Sequence, residues 1–206
     1  MRAFYHYDRH GCGARALEGA VPYAFVESPN VTRAERRRID VVVIHTMEIG
    51  ERDGAAAACA RWFADPAAQV SAHYCVDAGT VIQCVRERDI AWHARGGNGN
   101  SVGIELAGFA GQGADGWSDP YSQAVLERAA AVAAGVCARH GIPMRRLRGA
   151  DLRARRRGIG GHADVSDAFG KSDHRDPGPD FPWQRFLRLV RASARGGDVV
   201  ERAAQA

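Results

Sequence analysis

The chain contains no apolar run approaching the roughly 20 residues that span a bilayer, so membrane insertion is not expected. Its first residues, Met1 to Asp8, lack the apolar core of a signal peptide, so no export signal of its own is expected. Cysteine occurs at positions 12, 59, 75, 84 and 137, an odd count with no C-x-x-C pair. That pattern argues against a disulfide framework and against a thiolate zinc site. The cysteines read as buried free thiols, with Cys75 and Cys84 as diagonal neighbours on one hairpin. Internal repeats and low-complexity linkers are also missing. Lysine is nearly absent, Lys171 standing beside a large excess of arginine. The arginine runs at 36–38 and 153–157, with a net charge of +4, would attract a polyanion such as nucleic acid or an anionic wall polymer. No nucleic-acid motif or aromatic stacking array accompanies them, so a specific nucleic-acid partner is not expected.

What the chain does have is enough length for one well-formed core: 206 residues, of which 46% are hydrophobic. Ile39 to Thr46 is a β-branched run of the kind buried on both faces of a sheet, and it closes on His45. Gly54 to Ala64 predicts a short helix anchored by Trp62 and Phe63 and stopped at Asp65-Pro66. Residues 72–76 and 80–85 flank Asp77-Ala78-Gly79 as a hairpin, and residues 101–106 resume a strand that carries Glu105. Asp119 caps a predicted helix to His140, with Val125, Ala129, Val132 and Val136 on its apolar stripe and Gly141 at its end. The last helix starts at Pro182-Trp183, and the chain is expected to loosen beyond Arg195-Gly196-Gly197. Together these elements predict an α/β domain with a mixed central sheet flanked by helices. Residues 1–38 read as an extended arm laid over it, 39–194 as the domain itself and 195–206 as a loose tail.

Chemistry concentrates between Gly161 and Trp183, where His162, Lys171, His174 and aspartates 164, 167, 173 and 176 stand among turn formers. So many polar turn residues read as an ordered loop rather than as a helix or strand. Imidazole and carboxylate are the usual ligands of a catalytic zinc, which takes three and leaves a fourth position open. His162 and Asp176 could supply two, and His45 at the end of its strand is a candidate third. Each histidine taken alone reads as a hydrogen-bonded structural group. Glu105 faces water if its strand is half exposed, and is a plausible proton acceptor with a raised pKa if that strand is central.

Six blocks then fall in a familiar order: Val42 to His45, Val70 to Tyr74, Ala91 to Ala94, Asn100 to Leu106, Gly161 to Ser166, and Asp176 to Pro179. On these the chain resembles the zinc-dependent N-acetylmuramoyl-L-alanine amidases of the type 2 amidase and peptidoglycan-recognition fold, over roughly residues 39–190. The resemblance implies one Zn2+ held by His45, His162 and Asp176, with Glu105 as the catalytic glutamate. It also implies His93, His73, Trp92 and Lys171 near bound substrate. Where many members carry a lysine two residues before the aspartate ligand, this chain has His174, whose imidazolium could steady the oxyanion in its place. Ala72 stands where the phage lysozyme branch has a tyrosine. The implied substrate is peptidoglycan, cut between the lactyl group of N-acetylmuramic acid and L-alanine by a monomer. The Asp167–His174 insert resembles those of phage lysins, which act on the wall after release from the host cytoplasm. A cytoplasmic enzyme recycling wall fragments, or a wall-binding module without catalysis, are the alternatives.

Overall fold

The computed structural model describes residues 23–203, with side chains to residue 196. Residues 1–22 of the expected arm, including Cys12, lie outside the described residues. The six-stranded sheet has the order β1-β5-β4-β7-β3-β8. Its strands are β1 (Ala24–Phe25), β3 (Val41–Thr46), β4 (Tyr74–Val76), β5 (Val81–Gln83), β7 (Ser101–Leu106) and β8 (Gly158–Gly161). All neighbours run parallel except β4 and β5, the hairpin across Asp77-Ala78-Gly79, so the sheet is mixed as expected. A separate ladder joins β2 (Val31–Thr32) to β6 (Ile90–Ala91) in antiparallel register. The described part of the arm therefore enters the structure as strands: β1 pairs with β5 at the sheet edge and β2 holds β6.

Strand β3 is buried along its whole length between β7 and β8, which explains its unbroken β-branched run. Its side chains divide by parity. Val42 and Ile44 point into the large core formed with α2 (Pro120–His140) and α5 (Trp183–Ala203). Val41 and Val43 pack on the other face with Leu147, Leu152 and Val165, beneath α3 (Gly149–Arg153) and α4 (His162–Phe169). A third cluster on that face gathers Ala56, Cys59, Ala60 and Phe63 of α1 (Ala55–Phe63) with Cys75, Ile82 and Cys84. The strip of sheet between these two smaller clusters carries the chemistry.

Helix α2 begins and ends as its sequence demands. The Asp119 carboxylate accepts the N–H groups of Tyr121 and Ser122 at 2.7 and 3.0 Å, and Gly141 closes the helix in the left-handed conformation. Val125, Ala129, Val132 and Val136 are all buried.

Two expectations are corrected. Residues 162–169 form helix α4 rather than a loop. The turn-forming glycines sit at its ends, and inside it the Asp164 carboxylate accepts the Gly161 N–H at 2.7 Å while Gly170 closes it with φ 59°. Arg146 clamps the same carboxylate at 2.6 and 3.0 Å and lies 3.7 Å over the Trp183 ring. Trp62 is not a packing anchor: it is 54% exposed, because α1 turns Cys59, Ala60 and Phe63 inward instead. Helix α5 continues through Gly196-Gly197 to Ala203. A glycine costs a helix interior only about 1 kcal/mol, and arginine, alanine and glutamate on either side favour the helix. Among the described residues no helix is long and apolar enough to cross a membrane. Cys59, Cys75, Cys84 and Cys137 are buried free thiols, and Cys75 and Cys84 are diagonal neighbours with their sulfurs 3.8 Å apart.

Candidate active site

The site lies at the carboxyl ends of β3 and β7, where an open parallel sheet leaves room for a ligand. His45 and Glu105 are register partners on these adjacent strands, so their side chains emerge on the same face. Asp176 comes from the far side of α4. The Ala163 N–H donates to the Asp176 carbonyl at 2.9 Å, which ties that segment to the first turn carrying His162. Gly161 permits this approach: a Cβ there would lie 2.7 Å from Pro177 Cδ and 3.3 Å from the Asp176 carbonyl oxygen.

The Asp176 carboxylate is the meeting point. Its Oδ2 is 3.0 Å from His45 Nδ1, and its Oδ1 is 3.2 Å from His162 Nδ1. One ligand atom from each of His45, His162 and Asp176 lies within 4.8 Å of the others, and all three residues are buried. Among the described residues this is the one such grouping that could hold a metal ion. Burial alone would raise the Asp176 pKa, yet its bonds to His162 and His45 hold it well below the usual carboxylate range. Burial also depresses His45 and favours its neutral form, which has a lone pair to offer.

The donor set fits a zinc ion. It is nitrogen and oxygen only, three donors in number, and buried. Each of the two histidines also has a partner for its second nitrogen. His45 Nε2 lies 3.0 Å from His93 Nδ1, and His162 Nε2 lies 3.4 Å from Ser172 Oγ, itself 2.8 Å from Ser166 Oγ.

Glu105 reaches toward His45, with its Oε1 4.0 Å from Nδ1. Its strand is central, so the water-facing alternative does not apply: the side chain is 12% exposed. Burial pushes its pKa well above the ordinary carboxylate value, with Cys59, Asp176 and Glu48 adding to the effect. A dication in the pocket would pull it back down.

The remaining predicted residues separate. His174 stacks face to face on His162, with ring centroids 4.4 Å apart, and its Nδ1 is 3.5 Å from Asp176 Oδ1. Its side chain is 62% exposed at the rim. His93 is half-buried behind His45. His73 does not line the cleft. It is fully buried, its Nδ1 accepts the Gly103 N–H at 3.0 Å and its Nε2 faces the Asp89 carbonyl at 3.1 Å. Burial and then the Arg37 charge lower its pKa to about 3, so it is a neutral strut between β7 and the loop that precedes β6. Trp92 is half-buried and donates its indole N–H to Thr32 Oγ1, tying β6 to β2. Lys171 is exposed and makes no hydrogen bond or ion pair among the described residues; it stands just beyond Gly170, which closes α4.

Two residues escape a reading of sequence alone. Ser101 connects to His93, and its only signal is its place two residues before Gly103 and four before Glu105 on one face of β7. Arg37, within the basic run at 36–38, donates to the carbonyls of Glu87, Asn98 and Ser101 at 3.0, 3.2 and 2.8 Å.

The family model described as N-acetylmuramoyl-L-alanine amidase matches residues 35–179. The chain is 35% identical over 165 residues to N-acetylmuramoyl-L-alanine amidase A of Achromobacter lyticus, covering 72% of this chain and 81% of the relative. Among solved structures, an AmpD derivative superposes with a TM-score of 0.59 at 25% identity, covering 82% of this chain and 94% of that one. The hydrolase AmiA of Staphylococcus aureus shares the fold, with a TM-score of 0.66 at 15% identity over 85% of this chain and 84% of that one. With the matched segment spanning β3 to Asp176 and the three convergent donors inside it, the chain belongs to the N-acetylmuramoyl-L-alanine amidase family.

Proposed function

We propose that this chain hydrolyses the amide between the lactyl group of N-acetylmuramic acid and L-alanine in peptidoglycan, using one zinc ion held by His45, His162 and Asp176. The observation that carries this reading is the convergence of three buried donors on one point, with an acidic side chain beside them. A carboxylate with an imidazole nitrogen against each oxygen calls for a positive charge at its centre. Zinc there would supply Lewis acidity, bringing the pKa of a water down to about 7 and polarising the scissile carbonyl.

The chain's own groups complete the reaction. Glu105, held basic by its buried setting, takes the proton of the attacking water and returns it to the leaving amide nitrogen. His174, exposed at the rim over His162, faces the carbonyl oxygen and stabilises the charge that develops there, a contribution of about 3 kcal/mol for one well-placed donor. His45 and His162 are held in position by their second nitrogens, so the donors need no rearrangement during turnover.

The wall itself, rather than soluble fragments, is the proposed substrate, in the manner of a phage lysin. Supporting this, Arg188, Arg191 and Arg195 are exposed along α5, a basic face suited to an anionic polymer. Digestion of intact walls alongside soluble muropeptides tests both parts. New L-alanine amino termini on insoluble walls are the expected result. Release from soluble fragments alone would make the enzyme a recycling amidase, and binding without release would make it a wall-recognition module.

A further inference from the structure

We infer that Gly97, Ser101 and His93 form a one-way hydrogen-bond chain that holds the His45 proton on Nε2 and leaves Nδ1 bare toward the metal site, making Ser101 and His93 positioning residues for metal capture. The inference rests on the zinc reading above, and it concerns residues outside the proposed ligand set.

The direction of the chain follows from counting protons. The Gly97 carbonyl can only accept, and it lies 2.7 Å from Ser101 Oγ, so the single hydroxyl proton of Ser101 goes there. Ser101 Oγ is also 3.1 Å from His93 Nε2. With its own proton already used, Ser101 can only accept at that contact, so His93 carries its proton on Nε2. No carboxylate pairs with His93 among the described residues, so nothing stabilises a second proton on the ring. His93 Nδ1 is then a lone pair. It lies 3.0 Å from His45 Nε2, which must donate. His45 therefore holds its proton on the side away from Asp176 and turns the bare Nδ1 toward it.

Without this chain the local chemistry runs the other way. The Asp176 carboxylate lies 3.0 Å from His45 Nδ1 and would draw a proton to that nitrogen, presenting an N–H where a metal needs a lone pair. The chain opposes that pull from the opposite edge of the ring.

The fold builds the chain deliberately into one face of β7. Ser101, Gly103 and Glu105 alternate onto the same face, and His93 lies across the middle position. Gly103 leaves the space: a Cβ there would sit 2.7 Å from both Cγ and Nδ1 of the His93 ring. The Asn98 side chain accepts the N–H groups of His93 and Ala94 at 3.2 and 2.6 Å, fixing the loop that presents the ring.

Ser101→Ala tests the chain with the smallest disturbance, and Ser101→Thr restores the hydroxyl. Zinc affinity is read by competition with a chromophoric chelator, and the His45 ring by nitrogen-15 NMR of the metal-free and cadmium-113-substituted protein. The expected results are three. Ser101→Ala weakens zinc about tenfold, at the lower end of losses for groups that orient a ligand. Ser101→Thr recovers most of it. Wild-type His45 shows a proton on Nε2 and cadmium coupling to Nδ1. Zinc binding by Ser101→Ala equal to wild type, or a proton on His45 Nδ1 in the wild type, would overturn the inference. Should wild type bind no zinc, the functional reading fails separately, and the metal-free tautomer of His45 alone then decides the chain.

Discussion

His45 and Glu105 sit opposite each other across adjacent parallel strands, partners in register with His45 Nδ1 4.0 Å from Glu105 Oε1. One residue is a proposed metal ligand and the other a proposed base, and the sheet itself sets their spacing. Strands about 4.8 Å apart place same-face side chains within this distance without help from any loop. Segments outside the sheet supply the rest: His162 opens α4, and His174 and Asp176 come from the stretch that follows it.

Glu105→Gln keeps the shape of the side chain and removes the base. Turnover should fall by 10²–10⁴-fold, the usual worth of a positioned acid–base group, while zinc is retained. Steady-state release of stem peptide together with metal content checks this. Normal turnover would remove Glu105 from the mechanism.

His174 and Lys171 are the two candidates for the oxyanion position, but only His174 is stacked on a proposed ligand. His174→Ala should lower kcat by about 10²–10³-fold, the cost of one oxyanion donor, and His174→Lys should retain much of the rate. Lys171→Ala should leave kcat within about twofold of wild type. An inactive Lys171→Ala with an active His174→Ala would exchange their roles.

How far the sequence reveals such a site depends on where the residues lie. His45 is legible because a long β-branched run has to end somewhere, and a polar residue at its end faces the cleft. Helix α2 is legible because Asp119, Pro120 and Gly141 mark both ends chemically. Helix α4 is hidden because eight residues between two glycines look the same as a loop until Asp164 is seen bonded to Gly161 and Arg146. Ser101 and Arg37 are hidden for a different reason. Their partners are backbone carbonyls and a histidine distant in sequence, and no local pattern announces a contact made only after the sheet has formed.

Acid should destabilise the metal-free fold in two stages. His73 stays neutral in the fold down to about pH 3, whereas an unfolded histidine takes a proton near 6.5. Its contribution is full above about pH 6.5 and is lost as pH falls from there. Burial would raise the pKa of Glu87, yet Arg139, Tyr74 and His140 hold it at about 2. An unfolded glutamate protonates near 4.3, so this second contribution, on the order of 2–3 kcal/mol, is lost between about pH 4.3 and 2. Thermal melts of chelated protein across this range should show a falling midpoint, with Glu87→Gln flattening the lower stage. A midpoint independent of pH from 6.5 to 3 would contradict both assignments.

The most direct test is metal content measured with activity in the same samples: wild type as purified, after chelation, after zinc is restored, and in Asp176→Ala. The account predicts one zinc per chain with activity, loss of both on chelation, recovery of both with zinc, and neither in Asp176→Ala even with zinc in excess. Wall amide cleavage that survives complete chelation, or an Asp176→Ala protein that holds zinc and works normally, would contradict it.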